Sequence, residues 1–292
     1  MSMTATRIPH IVQYQGSKRR LASEILRHMP SSFGSITEPF AGVASVSIAA
    51  ACEHRTDKFF LNDINAPLVG MLKEAVEAPG RLLDEYSRLW SEQFSYDDRH
   101  MEHFYFVRDK FNSGEKSPAN MLYLLARCVK GAVRYSADGK FNQSPDKRRH
   151  GTSPAKLKAN IYILSELMKN KAVFSSCDYN EILREAESES IIYMDPPYQG
   201  VSDTRDRRYF SGVKFSELMT AIDRLNSRGA KFLLSYDGIC LGKEYGNEIP
   251  AELECTKILI NSGRSAQHTL LGRKAVTFEA LYISRTLAKE IS

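Results

Sequence analysis

Short apolar segments that end in polar or acidic side chains recur along this chain, and they restrict its fold more than any other feature. The segments that we predict to be strands are 35–40, 58–63, 172–178, 191–196 and 231–237. Amphipathic stretches lie between some of them, notably at 19–29 and 43–54. Strands that alternate with helices favour parallel pairing, because each parallel neighbour is reached through a crossover. We therefore predict an α/β fold with a doubly wound sheet, to which the alternating segments 251–260 and 275–285 add an antiparallel ribbon.

The alternation of strands and helices stops between residues 66 and 170. This stretch begins with a helical, aromatic-rich pattern and continues into a basic one. Nine lysines and arginines accompany only two aspartates between residues 127 and 160, and this local net charge of +7 exceeds the +5 of the whole chain. Such a concentration of positive charge favours a polyanionic partner over a merely solvated loop. We predict that residues 66–170 form a module inserted between the two halves of the α/β domain, residues 1–65 and 171–292.

The composition narrows the class of protein. No apolar run approaches the roughly 18 residues of a membrane span, and no N-terminal segment looks like a secretion signal, so we expect a soluble, cytoplasmic protein without membrane contact. The five cysteines are scattered without a CxxC pair. This pattern fits a reducing compartment and argues against a disulfide framework or a structural zinc, and we expect no metal.

The segment IIYMDPPYQG (191–200) contains the clearest candidate for chemistry. Its apolar run is typical of a strand buried on both faces, and Pro196 and Pro197 end that strand because neither can donate a ladder hydrogen bond. Asp195 is thereby placed at the carboxyl end of a strand, where open α/β sheets bind ligands, with Tyr198 close by. An aspartate before proline is also common in ordinary turns, so this segment alone leaves that alternative open.

Three further segments place small or acidic side chains at predicted strand ends. In EPFAGVASV (38–46) a strand leads into a turn of small residues, where Gly42 lets a ligand approach the N-terminus of the next helix. Asp63 ends the following strand about 20 residues later, a spacing suited to hydrogen bonds with ribose hydroxyls. Asp178 ends a third strand. Together with Asp195, these acids favour a nucleoside pocket over three independent helix caps.

The order of these segments resembles that of a known enzyme family. YQGSKRRLASEI, EPFAGVASV, LNDIN, CDYNEIL and DPPY follow one another as they do in the Dam-type family of DNA adenine-N6 methyltransferases. The resemblance extends over the basic segment 127–149 and the C-terminal segment 263–285. It implies a Rossmann-like methyltransferase sheet with an inserted, mainly helical target-recognition domain, S-adenosylmethionine as methyl donor and double-stranded DNA as partner. A cognate restriction endonuclease is a further partner that the family allows.

The resemblance also assigns residues to the cofactor. The set that it implies is Tyr14, Gly16, Lys18, Glu38, Phe40, Gly42, Ser45, Asp63, Asp178 and Asp195. The N-terminal members of this set are expected at the methionine end of the cofactor, Asp63 at the ribose and Asp178 near the cofactor adenine. Ala44 stands where the family often has a second glycine, a mild change that leaves room for the cofactor.

The residues that the basic segment and the C-terminal tail offer for DNA contact are Arg134, Tyr135, Asn142, Gln143, Lys147, Arg148, Arg149, Arg264, Arg273 and Lys274. Arg134 matches the arginine of the family's GxxRY stretch, and a guanidinium can bond bidentately to guanine in the major groove. The three consecutive cations at 147–149 cannot all face one base edge, so at least part of this run is expected along phosphates.

The chemistry of the predicted site suits adenine. The lone pair of the 6-amino group is delocalised into the ring, which makes this nitrogen a poor nucleophile. Asp195 and the Pro196 carbonyl can each accept one amino hydrogen, which frees the lone pair as the methyl group arrives. Tyr198 offers a ring for stacking, and we predict Asp195, Pro196, Pro197 and Tyr198 as the catalytic residues. The amino group is paired inside a duplex, so the adenine has to flip out of the stack.

Other chemistries fit the sequence less well, and two alternatives stay open. Cytosine-C5 methylation typically needs a cysteine after a proline, and a zinc deaminase needs PCxxC; the sequence contains neither. The first alternative is methylation of another planar amine, namely cytosine-N4, RNA adenine or a protein glutamine, although the basic insert disfavours a protein substrate. The second is a DNA-binding relative that has lost catalysis, against which the intact Asp195 and Tyr198 argue.

Overall fold

The structure is a computed structural model that describes residues 8–95, 100–197, 213–240, 243–245, 248–264 and 276–291. The helices are α1 (Ala22–Leu26), α2 (Ser45–Cys52), α3 (Ala66–Glu77), α4 (Pro79–Glu92), α5 (His100–Asn112), α6 (Pro118–Arg127), α7 (Pro154–Met168), α8 (Tyr179–Glu185), α9 (Phe215–Ser227) and α10 (Arg285–Ile291). The strands are β1 (Ser35–Glu38), β2 (Phe59–Asn62), β3 (Ala172–Ser175), β4 (Ser190–Met194), β5 (Lys231–Cys240), β6 (Lys243–Tyr245), β7 (Thr256–Arg264) and β8 (Val276–Ile283). Each segment predicted as a strand overlaps one of these strands.

The strands form a mixed sheet in the order β3-β2-β1-β4-β5-β8-β7, and the short β6 pairs with β5. Strands β1 to β5 run parallel to their neighbours in this order, whereas β8 is antiparallel to both β5 and β7. The pairing of β7 with β8 confirms the predicted ribbon. The doubly wound α/β prediction is confirmed as well.

Helices cover both faces of the sheet because its central strands are apolar on both. In β4, Ile191 and Tyr193 belong to a core shared with α2, α3 and α7, whereas Ile192 and Met194 belong to a second core with α8 and α9. Successive side chains of a strand point to opposite faces, so a continuous apolar run has to be covered twice.

The inserted residues 66–170 share a hydrophobic core with the sheet. Leu68 of α3 and Ile161 of α7 are fully buried in the same cluster as Ile36 of β1, and Phe104 of α5 extends this cluster away from the sheet. The insert therefore packs as a continuation of one sheet face. The division into catalytic and recognition domains stays a prediction.

Across the residues that the structure describes, no helix is both long and apolar enough to cross a membrane.

Strands β1 and β4 are neighbours at the centre of the sheet, and the winding direction reverses between them. From β1 the chain moves outward to β2 and β3, and from β4 it moves the other way to β5. Open α/β sheets bind ligands in the crevice beyond the carboxyl ends of the strands at such a point. The fold thus gives one preferred location for a site, beyond Glu38 and Met194.

Candidate active site

A cavity of about 320 Å³ lies at this location, beyond the carboxyl ends of β1 to β4. All ten residues that the resemblance assigns to the cofactor line the cavity, and Pro196 and Pro197 line it as well. Residues far apart in sequence meet here because parallel strands end at the same edge of a sheet. The fourth predicted catalytic residue, Tyr198, lies outside the described residues.

The turn after β1 presents its backbone to the cavity. Gly42 and Ala44 both have φ of 53°, in the left-handed region. A Cβ at Gly42 would lie 3.2 Å from Cε1 of Tyr14, so the glycine lets the Tyr14 ring pack against the turn. Ala44 immediately precedes α2 and adopts a conformation that costs an L-residue roughly 1–2 kcal/mol. This strain arises at the position where the family that the sequence resembles often has glycine.

Asp63 follows β2 and fixes two loops of the cavity. Its Oδ2 accepts a hydrogen bond from the amide of Gly42 at 2.9 Å, and its Oδ1 accepts one from the amide of Asn65 at 2.9 Å. Burial raises the pKa of this carboxyl, although the two hydrogen bonds act in the opposite direction. A carboxylate has about four acceptor positions, so capacity remains for hydroxyls of a ligand.

The wall after β3 combines a helix cap with an aromatic pair. Asp178 caps α8 through a hydrogen bond from the amide of Asn180 to its Oδ1 at 2.8 Å. The rings of Phe40 and Tyr179 pack with their centroids 5.0 Å apart, and both residues line the cavity. This wall offers an apolar surface beside an exposed carboxylate, which suits a heterocycle that carries an amino group.

Lys18 lines the cavity and lies between two carboxylates. Its Nζ donates to Oδ1 of Asp195 at 2.8 Å and lies 3.2 Å from Oε1 of Glu279 on β8. Burial by itself lowers the pKa of Lys18, but the charges of Asp195 and Glu279 outweigh burial and raise it. The lysine therefore stays charged and fixes the position of the Asp195 carboxylate. Glu279 was not predicted, because nothing in its alternating strand sequence distinguishes it from a solvent-facing residue.

Residues 133–143 of the insert form an irregular hairpin, which we call the basic hairpin. Tyr135 and Phe141 make an antiparallel bridge across it, and the amide of Asn142 donates to the carbonyl of Arg134 at 2.8 Å. Tyr135 and Phe141 are buried, whereas Arg134 and Asn142 are exposed. The hairpin therefore has one face in the core and one face toward solvent.

The structure separates the predicted DNA-contacting residues by exposure. The exposed ones are Arg134, Asn142, Lys147, Arg148 and Arg149. Gln143 is buried and its Nε2 donates to the Ala132 carbonyl at 3.3 Å, while Tyr135 is 8% exposed and lines the cavity. Arg273, Lys274 and the side chain of Arg264 lie outside the described part of the chain. The solvent face of the insert thus offers cations, and two of the residues predicted to touch DNA point inward.

Comparison with known proteins identifies the family. A family model for the D12 class of N6 adenine-specific DNA methyltransferases matches residues 14–269. The chain belongs to this family. The methyltransferase is similar to the type II methyltransferase M.MjaIII of Methanocaldococcus jannaschii, with 29% identity over 254 residues that cover 80% of this chain and 86% of the relative.

Two further relatives are named DNA adenine methylase. The protein of Serratia marcescens is 26% identical over 208 residues, which cover 70% of this chain and 72% of the relative. The protein of Salmonella typhi is 27% identical over 244 residues, which cover 80% of this chain and 82% of the relative. The resemblance drawn from the ordered segments is confirmed.

Asn62 of the methyltransferase joins two loops of the cavity, and sequence reasoning missed it. Its Nδ2 donates to the carbonyls of Pro39 and Cys177, each at 3.0 Å. Its Oδ1 accepts hydrogen bonds from the amide of Cys177 at 3.0 Å and from Oγ of Ser175 at 2.9 Å. This buried amide holds the ends of β1 and β3 in place. The sequence signal that could have indicated this role is the position of Asn62 next to Asp63, the acid at the predicted strand end.

Glu38 gives the methyltransferase a testable dependence on pH. Burial raises the pKa of its carboxyl to about 7, although hydrogen bonds from Ser47 act in the opposite direction. The fold therefore favours the protonated form, and this contribution to stability is present below the unfolded pKa and is lost as the pH rises through about 7. Between pH 5 and pH 8 we expect the free energy of unfolding to fall by about 2–3 kcal/mol more in the wild type than in Glu38→Gln. Urea denaturation at both pH values measures this; parallel losses would contradict it.

Proposed function

We propose that this methyltransferase moves a methyl group from S-adenosylmethionine to the 6-amino group of an adenine flipped out of double-stranded DNA. The observation that carries the proposal is the convergence of Asp195 with three other strand-end acids on one cavity at the switch point of the sheet. We further propose that residues 66–170 act as the recognition domain. The enzyme is proposed to work in the cytoplasm. Its methylation would either mark a genome or protect it from a cognate nuclease.

The residues of the cavity fit S-adenosylmethionine. Asp195 and, once ionised, Glu38 suit the positively charged methionine end, and Asp63 has acceptor capacity for ribose hydroxyls. Phe40 with Tyr179 forms an apolar wall for the cofactor adenine, beside the Asp178 carboxylate. When bound, the cofactor would supply a methyl group on a sulfonium sulfur: the nitrogen bonds to the methyl carbon as the carbon–sulfur bond breaks, the sulfur leaves as a neutral thioether, and the nitrogen releases one proton. Gly42 leaves room for the ring of Tyr14, which lines the same cavity.

Asp195 activates the target nitrogen in this proposal. Lys18 pairs with the carboxylate and fixes one of its oxygens, so the carboxylate is oriented before the adenine arrives. As the amino group loses conjugation with the ring, its hydrogens become better donors to Asp195 and to the Pro196 carbonyl. These acceptors therefore bind the transition state more strongly than the ground state, which lowers the barrier.

Replacing Asp63 with Ala is expected to weaken cofactor binding by on the order of 1.5–3 kcal/mol, the range for hydrogen bonds to a charged group. The loss includes the two backbone hydrogen bonds that position Gly42 and Asn65. The maximal rate at saturating S-adenosylmethionine should fall less. Calorimetric titration gives the dissociation constant. An unchanged value would show that Asp63 only holds the two loops and does not contact the cofactor.

The exposed cations of the insert are proposed to serve two functions in DNA binding, namely recognition of the base sequence and contact with phosphates. Arg134 lies on the exposed face of the basic hairpin, and within the described part of the chain no carboxylate pairs with it. It is thus available to read a guanine edge in the major groove. Arg148 and Lys147 are also exposed, on the segment that follows the hairpin, and are proposed to contact phosphates.

Arg134→Ala is expected to relax sequence choice at one base pair, at a cost of roughly 1–3 kcal/mol there. Arg148→Ala should weaken binding to all sequences alike and reduce the salt slope by about 0.9 for each phosphate that is no longer neutralised. Methylation of a randomised DNA library by each variant, followed by sequencing of modified adenines, separates the two effects. An unchanged sequence preference for Arg134→Ala together with an altered one for Arg148→Ala would reverse the roles.

Nucleoside analysis tests the proposed reaction directly. Plasmid DNA treated with the protein and S-adenosylmethionine is digested to nucleosides and analysed by mass spectrometry. We expect N6-methyladenine in duplex DNA. N4-methylcytosine, or methylation confined to RNA, would contradict the proposal, and DNA binding without any methylation would indicate a relative that has lost catalysis.

A further inference from the structure

Tyr135 connects the basic hairpin to the cofactor cavity. Its neighbours Arg134 and Asn142 face solvent, but its own side chain points inward and is 8% exposed. The hydroxyl donates a hydrogen bond to Oδ1 of Asn65 at 3.0 Å. Asn65 is itself buried, and it lines the same cavity as Tyr135. The side of the hairpin opposite the DNA-facing side is therefore part of the cavity wall.

Asn65 continues this connection to Asp63. The backbone amide of Asn65 donates to Oδ1 of Asp63 at 2.9 Å, while the other oxygen accepts from the amide of Gly42. Hydrogen bonds thus run without interruption from the hairpin through Asn65 and Asp63 to the glycine turn. The bond from Tyr135 to Asn65 is buried and the two bonds to Asp63 are partly buried, and hydrogen bonds shielded from water are electrostatically stronger.

We infer that Tyr135 is a positioning residue through which DNA on the basic hairpin strengthens cofactor binding, and the cofactor strengthens DNA binding. The inference rests on the proposed function, because it needs the cofactor at Asp63 and DNA at Arg134. DNA that orders the outer face of the hairpin also fixes the inner face, since Arg134 and Tyr135 are adjacent. Asn65 and Asp63 are then held in the binding geometry. Such coupling is reciprocal and typically reaches roughly 5–150-fold.

Two substitutions break the connection at different atoms. Tyr135→Phe removes the hydroxyl and keeps the ring in the core. Asn65→Ala removes the acceptor but keeps the backbone amide that donates to Asp63. Both variants, and the double variant, should therefore lose the same coupling, and their effects should not add. Tyr86→Phe is the matched control, because Tyr86 is also buried in the insert and its hydroxyl donates to the Thr152 carbonyl at 2.6 Å, away from the cavity lining.

The experiment measures the Kd of S-adenosylhomocysteine with and without a saturating duplex that carries the methylated sequence recovered from the library. We expect duplex to tighten binding at least about fivefold in the wild type and in Tyr86→Phe. In Tyr135→Phe and Asn65→Ala the factor should fall below about twofold, while binding without DNA changes less. The reverse titration, of duplex with and without S-adenosylhomocysteine, should give equal factors.

Retention of the wild-type factor in Tyr135→Phe and Asn65→Ala would overturn the inference. So would a wild type that binds both ligands independently, an outcome that leaves the proposed function intact. A wild type that binds neither S-adenosylhomocysteine nor duplex would overturn the proposed function and the inference together.

Discussion

Asp195→Ala is expected to reduce single-turnover methyl transfer by at least about 10²–10³-fold, the range for loss of one preorganised polar group in a transition state. The target nitrogen would lose the acceptor that frees its lone pair. Affinity for DNA should stay near the wild-type value, because this carboxylate lies in the cavity and faces Lys18, away from the exposed cations of the insert.

The contacts of Lys18 indicate that a loss of activity in Asp195→Ala would not result from unfolding. In Asp195→Ala, Lys18 loses one carboxylate but retains Glu279 at 3.2 Å, so its buried charge is still paired. Gross unfolding is therefore not expected, and thermal denaturation checks this point. Asp195→Asn is the matched variant, since its amide oxygen still accepts one hydrogen bond, and it should keep residual activity. Near-normal transfer by Asp195→Ala would refute the proposed role of the carboxylate.

Gly131→Ala should destabilise the protein by roughly 2–5 kcal/mol, as the sum of backbone strain and overpacking. Gly131 has φ of 60°, and a Cβ at this position would lie 2.0 Å from the carbonyl oxygen of Gln13. The Gly131 carbonyl also accepts a hydrogen bond from the amide of Gln15 at 3.0 Å. This hydrogen bond fixes the segment that leads to Lys18, so methyl transfer should fall as well.

Gly139→Ala provides the control for Gly131→Ala. Gly139 also has a left-handed φ, of 74°, but a Cβ there has no heavy atom within 4 Å among the described residues. The control should therefore cost only the strain, roughly 1–2 kcal/mol, and leave the position of Lys18 unchanged. Urea denaturation of both variants, with methyl transfer measured below the unfolding transition, gives the comparison. Equal stability losses would show that the backbone at Gln13 moves aside freely.

Much of the cavity was predictable because its residues lie at strand ends. A strand is recognised by a local apolar run, and the first polar residue after that run marks its end. Asp195 was found in this way, and Asp63 and Asp178 were found as acids one to three residues after a strand; the structure brings all three to one cavity. The family resemblance then added residues of the N-terminal segment, such as Lys18, whose surroundings in the sequence are those of an ordinary loop.

The direction of individual side chains was less predictable. Tyr135 and Gln143 were grouped with their exposed neighbours as DNA contacts, because a basic segment by sequence looks uniformly solvated. The register of pairing, here Tyr135 opposite Phe141, determines which side chains of the hairpin share a face. Packing against the rest of the protein then determines which of the two faces is buried. Those two conditions involve the helices of the insert, which the hairpin sequence does not contain.

The sequence by itself determined the order of the strands along the chain, their burial and the residues at their ends, since each depends on a few neighbouring residues. Only the tertiary structure decided which groups meet across those ends. Glu279 reaches Lys18 because β8 enters the sheet antiparallel beside β5, and Asn62 joins two loops because β1 and β3 flank β2. Contacts of this kind follow from strand order and register, which are set by packing of the whole sheet rather than by any local pattern.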